Sequence, residues 1–414
     1  MDIVILSLAT VVGLYMAANI GANDLANAMG TSVGSRAITI KQAVVISTIA
    51  NALGAMLAGG YVTNTISKGM IDPGLFMDDP NKLMFGMFAS LISAGLCVNL
   101  ATFYALPVST THAIVGAVVG FGIISVGIDA VNWSKIISIA ASWIISPAAG
   151  AVIAGSIYYF IEKKILSSKD PLKAFKQYAP FMIFLVFLVL ILSIIFKGLK
   201  NLHLEFGFFE IVLLTIPCAA LCGIFSRNWI LWRVRTGKLH QEQREYSPLE
   251  SIFAQLQILT ASYVAFAHGA NDVANAIGPI AAIFSVVKTK AVILQVKVPI
   301  WMLLVGGIAV GSGLLAFGTR VMETIGKNIT EITPVRGFCA EFGAATTILI
   351  CSRLGLPVST THVLVGAVVG VGIMRGMGTL DLRILKNIAL SWIVTLPFTI
   401  LLSMFLYKLF IWLL

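Results

Sequence analysis

The length of its uncharged apolar runs limits most strongly what this chain can fold into. Residues 181–196, 208–224 and 388–407 contain one charged side chain between them, Glu210, and comparable runs recur from end to end. About 20 apolar residues cross a bilayer as a helix. Only 11% of the 414 residues are charged and 58% are hydrophobic, whereas soluble domains carry about 25% charged residues. The mean hydropathy is +0.96. These features describe an all-α polytopic membrane protein. About twelve membrane segments are expected, at 3–30, 42–62, 84–105, 107–126, 136–160, 180–197, 208–225, 251–286, 299–319, 338–353, 357–374 and 387–413. The fourth and eleventh read as crossings or as re-entrant hairpins.

The formal charge of +10 does not imply nucleic acid. Cytoplasmic loops of membrane proteins collect Lys and Arg, and no interleaved aromatic and basic binding module is present. Placing both termini outside puts most of the Lys and Arg in inside loops, which is the expected orientation. No basic stretch and cleavage site precede the first segment, so no removable signal peptide is expected. The five cysteines lie in or beside apolar runs. Cys218 and Cys222 share a helix face, and packing is the expected role of all five. The polar interruption from Arg227 to Ser251 reads as a cytoplasmic connector.

The chain repeats itself. GANDLANAMG at 21–30 returns as GANDVANAIG at 269–278, LPVSTTH at 106–112 returns at 356–362, and SWIIS at 142 is echoed by SWIVT at 391. Three matches in one order at nearly one offset indicate two homologous halves. Residues 1–160 form the first repeat and 251–414 the second. Between them, 161–250 supply two membrane helices and a basic cytoplasmic loop. An odd number of segments separates each matched pair, so the halves run in opposite directions across the membrane. Inverted repeats with broken helices place a transporter's substrate site near the midplane, between the repeats.

Two polar motifs interrupt the apolar background. In LPVSTTH, Leu106 before Pro107 is biased away from helix, and Ser109, Thr110 or Thr111 can cap the helix that follows. Such an N-terminus presents free N–H groups and partial positive charge, a ready anion site. Ser359, Thr360 and Thr361 repeat the arrangement. Ser and Thr also pack between membrane helices by bonding to backbone; the duplication favours a site. His112 and His362 close the motifs, either as proton carriers or as struts that anchor the helix start. In GANDxANA, Asn23 and Asn27 share a helix face with Asp24 beside Asn27, and Asn271, Asp272 and Asn275 repeat this. A carboxylate inside an apolar span is costly and points to function. With amide oxygens it suits a hard monovalent cation, or it takes a proton from a protonated oxyanion, or it caps a broken helix.

Glu341 has Leu91 at the matching position, and His268 has Ile20, so the two halves are not equivalent. Neither repeated motif contains Arg or Lys. A multiply charged anion held without side-chain cations gains from a bound metal ion as countercharge, which argues for cation-coupled symport.

Paired GAND and LPVSTTH motifs in inverted halves resemble the inorganic phosphate transporter (PiT) family, over nearly the whole chain. The resemblance implies phosphate symport driven by sodium, or by protons in some bacterial members, and homodimers in lipid. It implies that phosphate meets Asp24, Asn27, Ser109, Thr110, Thr111, Asp272, Asn275, Ser359, Thr360 and Thr361. Sodium would sit at Asn23, Asp24, Asn271, Asp272 and Glu341, as co-transported substrate with no separate cofactor. His268 and Glu341 match positions regarded as functional in animal relatives. Asn51 and Leu91 stand where some relatives carry glutamate, so a coupling role there does not transfer. The linker is short, so regulation through a long soluble loop does not transfer either. A proton-coupled sulfate or other oxyanion permease is the alternative on the same scaffold. A channel and an intramembrane hydrolase using Ser109 or Ser359 are further readings; duplication of the whole set fits binding better than catalysis.

Overall fold

A computed structural model describes residues 2–201, 208–235, 247–293, 298–322, 332–376 and 382–413. The basic loop expected near 236–246 lies outside the described residues. Helix dominates what is described, and an isolated bridge between Ile71 and Val131 is the extended pairing present. The first half contains α1 (Asp2–Ile20), α2 (Ala26–Gly34), α3 (Ile40–Ala58), α4 (Gly60–Asn64), α5 (Pro80–Phe103), α6 (Thr110–Ser125) and α7 (Trp133–Ile161). Helices α8 (Pro171–Asn201) and α9 (Phe208–Arg235) follow and pack against each other. The second half contains α10 (Pro248–Thr289), α11 (Ile300–Phe317), α12 (Pro334–Arg353), α13 (Thr360–Arg375) and α14 (Leu382–Leu413).

Local chemistry explains where these helices start. Thr39 and Gln42 form a reciprocal capping box before α3, Pro80 occupies the first turn of α5, and Ser247 caps α10 ahead of Pro248. Each device satisfies or removes N–H groups that the first helical turn leaves without partners. Ten of the described helical stretches are long and apolar enough to cross a membrane; α6 and α13 are shorter. At 16 residues each, these two reach about 24 Å, less than the roughly 30 Å hydrocarbon core. Each follows a longer helix, α5 or α12, through a turn of a few residues, giving the two hairpins.

The two GAND motifs, whose glycines allow either a break or close packing, differ in backbone course. In the first half Gly21–Leu25 forms one π-helical turn between α1 and α2. In the second half α10 runs unbroken for 42 residues through the equivalent stretch. The leading glycines serve close packing. A Cβ at Gly21 would collide with the Val310 carbonyl oxygen on α11, and one at Gly269 with the Asn51 carbonyl oxygen on α3.

The two halves interlock. Helix α6 packs along α14 and α13 along α7, while α3 packs on both α10 and α11. Each hairpin's short helix therefore lies on the last helix of the opposite half. This exchange brings the N-termini of α6 and α13 together at the centre.

Candidate functional site

Ser109 and Ser359 are the N-caps of α6 and α13. Their hydroxyls accept from the His112 and His362 backbone N–H groups at 3.1 and 3.2 Å. The following threonines turn toward the GAND segments. Thr110 donates to Asp24 Oδ2 at 2.5 Å and Thr361 to Asp24 Oδ1 at 3.0 Å. Thr360 donates to Asp272 Oδ2 at 2.6 Å, with Thr111 at 3.5 Å from Oδ1. Each carboxylate is thus held by one hydroxyl from its own half and approached by one from the other. Each hydroxyl has one proton: Thr111 donates to the nearer Val358 carbonyl at 3.0 Å, and Thr361 shares its proton between Asp24 and the Val108 carbonyl at 3.2 Å, which ties the hairpins to each other.

The asparagines divide into two jobs. Asn23 donates to Thr102 Oγ1 and the Leu106 carbonyl and accepts from the Val108 N–H, all near 3.0 Å. Asn271 likewise donates to Ser352 Oγ at 2.9 Å and the Leu356 carbonyl at 3.2 Å. These two residues brace the hairpin turns, where the chain leaves helix and its carbonyls need donors. Asn275 donates to Thr110 and Thr111 at 3.2 Å each. The side-chain oxygens of Asn27, Asn271 and Asn275 are buried without donors. All twelve motif residues, from Asn23 to Thr361, are at most 4% exposed.

Asp24, Asp272 and His268 each offer a ligand atom within 4.8 Å of the other two, all buried. His268 Nε2 lies 3.2 Å from Asp272 Oδ2, and its Nδ1 lies 2.7 Å from Asn51 Oδ1. With Ile20 at the equivalent position, the first half supplies no imidazole of its own. The centre is rich in oxygen acceptors that lack donors. Such a donor set fits a hard cation, which oxygen ligands prefer. The hydroxyls and the two opposed helix N-termini supply the groups an anion needs.

Glu341 stands apart from this centre. It lies on α12 and is not one of the clustered ligand groups Asp24, His268 and Asp272. Its Oε1 accepts from Thr31 at 2.7 Å, Ser32 at 2.5 Å and Gln257 at 3.0 Å, and its Oε2 accepts from Thr260 at 2.7 Å. Sequence reasoning did not find those four donors. Nor did it find Thr102 and Ser352, although these occupy matching places in the repeat and could be found from it. His112 lies against Trp143 with ring centroids 3.8 Å apart, and neither its ring nitrogens nor the Ser109 hydroxyl are joined as a nucleophile and base would be.

With this geometry in place, the comparisons with known proteins agree. The phosphate transporter family model matches residues 20–403. A putative phosphate permease of Pyrococcus abyssi is 44% identical over 403 residues, covering 97% of each chain. The chloroplastic inorganic phosphate transporter 2-1 of Arabidopsis thaliana is 39% identical, over 95% of this chain and 70% of its own. A solved structure of a sodium-dependent phosphate transporter superposes with a TM-score of 0.91 at 40% identity, over 99% of this chain and 100% of that one. The relatives are transporters rather than enzymes, and this chain belongs to the phosphate transporter family.

Proposed function

We propose that the protein is a sodium-coupled symporter of inorganic phosphate that works by alternating access, with the two hairpin tips gating the site. The observation that carries this reading is the pair of buried carboxylates, Asp24 and Asp272, held by Thr110, Thr360 and Thr361 and approached by Thr111, from both hairpins. Two carboxylates so close in a low-dielectric interior repel strongly. Cations bound beside them offset that repulsion and supply countercharge for an anion at the Ser-Thr-Thr tips. Asp24, Asn27, Asp272 and Asn275 would face both ligands. Asn23 and Asn271 complete the proposed cation set by shaping the hairpin turns, and Glu341, among its own donors, would hold a cation at a separate position. A solved relative is sodium-dependent by name, which supports sodium over other cations.

His268 beside Asp272 favours a second reading, proton coupling, because an imidazole next to a carboxylate provides a proton site that the first half lacks. Uptake of labelled phosphate into proteoliposomes separates the two. Under the sodium reading, uptake collapses without a sodium gradient; full uptake on a proton gradient alone would refute it. Competition by sulfate in the same assay tests the anion. The proposal also places both termini outside, in a homodimer in the lipid bilayer. The charge distribution of the loops supports the orientation, and family resemblance supports the dimer.

A further inference from the structure

Directly behind the threonine tips, four rings meet. His112 and His362 are the third helical residues of α6 and α13. At 100° per residue, each points away from the preceding threonine's side of its helix, toward the back of the site. The two imidazoles approach edge to face, 4.5 Å between centroids with planes at 76°. His112 lies against Trp143 of α7 at 3.8 Å with planes tilted by 41°, and His362 stacks on Trp392 of α14 at 3.4 Å with planes only 23° apart. The same two helices also reach the opposite hairpin. Trp143 Nε1 donates to the Pro357 carbonyl at 3.2 Å, and Ser391, beside Trp392, lies 3.4 Å from the Pro107 carbonyl. Each last helix therefore grips its own hairpin by ring contact and the other hairpin by a hydrogen bond.

Polar contacts share the holding with the ring faces. Trp143 Nε1 bonds the opposite hairpin, and the His112 and His362 rings lie beside the backbone of Trp392 and Trp143, while His112 Nδ1 and Nε2, His362 Nε2 and Trp392 Nε1 make no side-chain hydrogen bond of good geometry. Ring pairs favour offset and edge-on packing; the His112–His362 pair has that form, and the two His–Trp contacts are closer still, so the rings set the approach of the two helices that carry them. The Thr110, Thr111, Thr360 and Thr361 hydroxyls lie within two residues of the clasped histidines. Their spacing across the site follows from the ring spacing behind it.

We propose that His112, His362, Trp143 and Trp392 form a clasp that sets the distance between the two Ser-Thr-Thr tips, and thereby the size of oxyanion the site accepts. The clasp rests on the phosphate-binding reading above. It makes these four residues positioning residues, without contact to the substrate and without a proton-transfer role.

The test uses the full chain in proteoliposomes, with labelled phosphate as substrate and arsenate, a larger tetrahedral oxyanion of the same charge, as competitor. Trp392→Ala is expected to raise the phosphate KM about tenfold, because small misplacements of binding groups are costly. Discrimination against arsenate should weaken, with maximal velocity little changed. Trp392→Phe keeps a ring and loses only the unpartnered N–H, so it should restore both. His112→Gln and His362→Gln should leave the pH profile of uptake where it is in the wild type. A Trp392→Ala protein with unchanged KM and discrimination would overturn the clasp, as would a Phe variant as impaired as the Ala variant, or a shifted pH profile.

A second measurement does not depend on transport. Spin labels at Tyr104→Cys and Leu354→Cys, exposed positions on the two hairpin turns, in a background without the five native cysteines, report the hairpin separation. Trp392→Ala should broaden the distance distribution and Trp392→Phe should not; an unchanged distribution refutes the clasp. Wild-type protein that takes up no phosphate would refute the functional reading separately.

Discussion

Thr110 and Thr360 donate to Asp24 and Asp272 at the shortest distances in the site. A hydrogen bond to a charged group contributes about 1.5–3 kcal/mol. Replacing either threonine by valine keeps its shape and removes the donor. Phosphate uptake per unit KM should therefore fall about 10- to 100-fold in Thr110→Val and Thr360→Val, measured in proteoliposomes. Asp24→Asn and Asp272→Asn should abolish gradient-driven uptake while the protein still purifies folded. Glu341 gives a different expectation, because its four donors, Thr31, Ser32, Gln257 and Thr260, link α2, α10 and α12. Glu341→Ala strands them and should cost about 1–3 kcal/mol or more of stability, seen as a lower unfolding temperature in detergent. Glu341→Gln keeps an acceptor and should lose less. The motif residues were legible in the sequence because a polar cluster duplicated in an apolar chain has few explanations. Which asparagines brace backbone was not legible. Asn23 and Asn27 look alike in sequence, and the carbonyls of Leu106 and Leu356 that claim Asn23 and Asn271 are distant in the chain.

At the scale of elements, α6 and α13 depend on close backbone contact. Cβ atoms at Gly366 and Gly370 would run into the Pro147 and Ala151 carbonyl oxygens of α7, and one at Gly120 would lie 2.5 Å from the Ile400 carbonyl oxygen of α14. Small residues at four-residue spacing let membrane helices approach this closely. Backbone cannot retreat as a flexible side chain can. Gly366→Leu should therefore destabilise the protein by about 1–3 kcal/mol or more, read as lower folded yield and unfolding temperature. Gly60→Ala is the control, since nothing lies within 4 Å of a Cβ there, and should be neutral to within about 0.5 kcal/mol. That a hydroxyl residue of each motif caps α6 and α13 was legible in the sequence, but that the caps are Ser109 and Ser359 rather than the threonines came from the structure. The contrast between the π turn at Gly21–Leu25 and the unbroken α-helical course of α10 was not legible in the sequence. The two decapeptides are nearly identical, so the difference comes from their surroundings. His268 reaches both Asn51 and Asp272 in one half, and an isoleucine stands in its place in the other.

At the scale of the whole molecule, the interlocking of the halves has a direct consequence. Because α6 rests on α14 and α13 on α7, neither half contains a complete partner set for its own hairpin. A chain divided near residue 240, between α9 and α10, should recover phosphate uptake when both parts are made together. Either part alone should give none and should fail to purify as a monodisperse species. Uptake from one part alone would contradict the packing. The sequence by itself determined the membrane-spanning helical class, the duplication, the opposed direction of the halves, and the polar residues at stake. Those follow from hydrophobic periodicity, charge placement and motif identity, all of which are local or countable along the chain. Only the tertiary structure decided that the repeats exchange their hairpins, that Asp24 and Asp272 share hydroxyls from both halves, and that Glu341 sits in a cluster of its own. Those depend on which buried surfaces fit together across hundreds of residues, and close packing between distant helices leaves no mark in either segment alone.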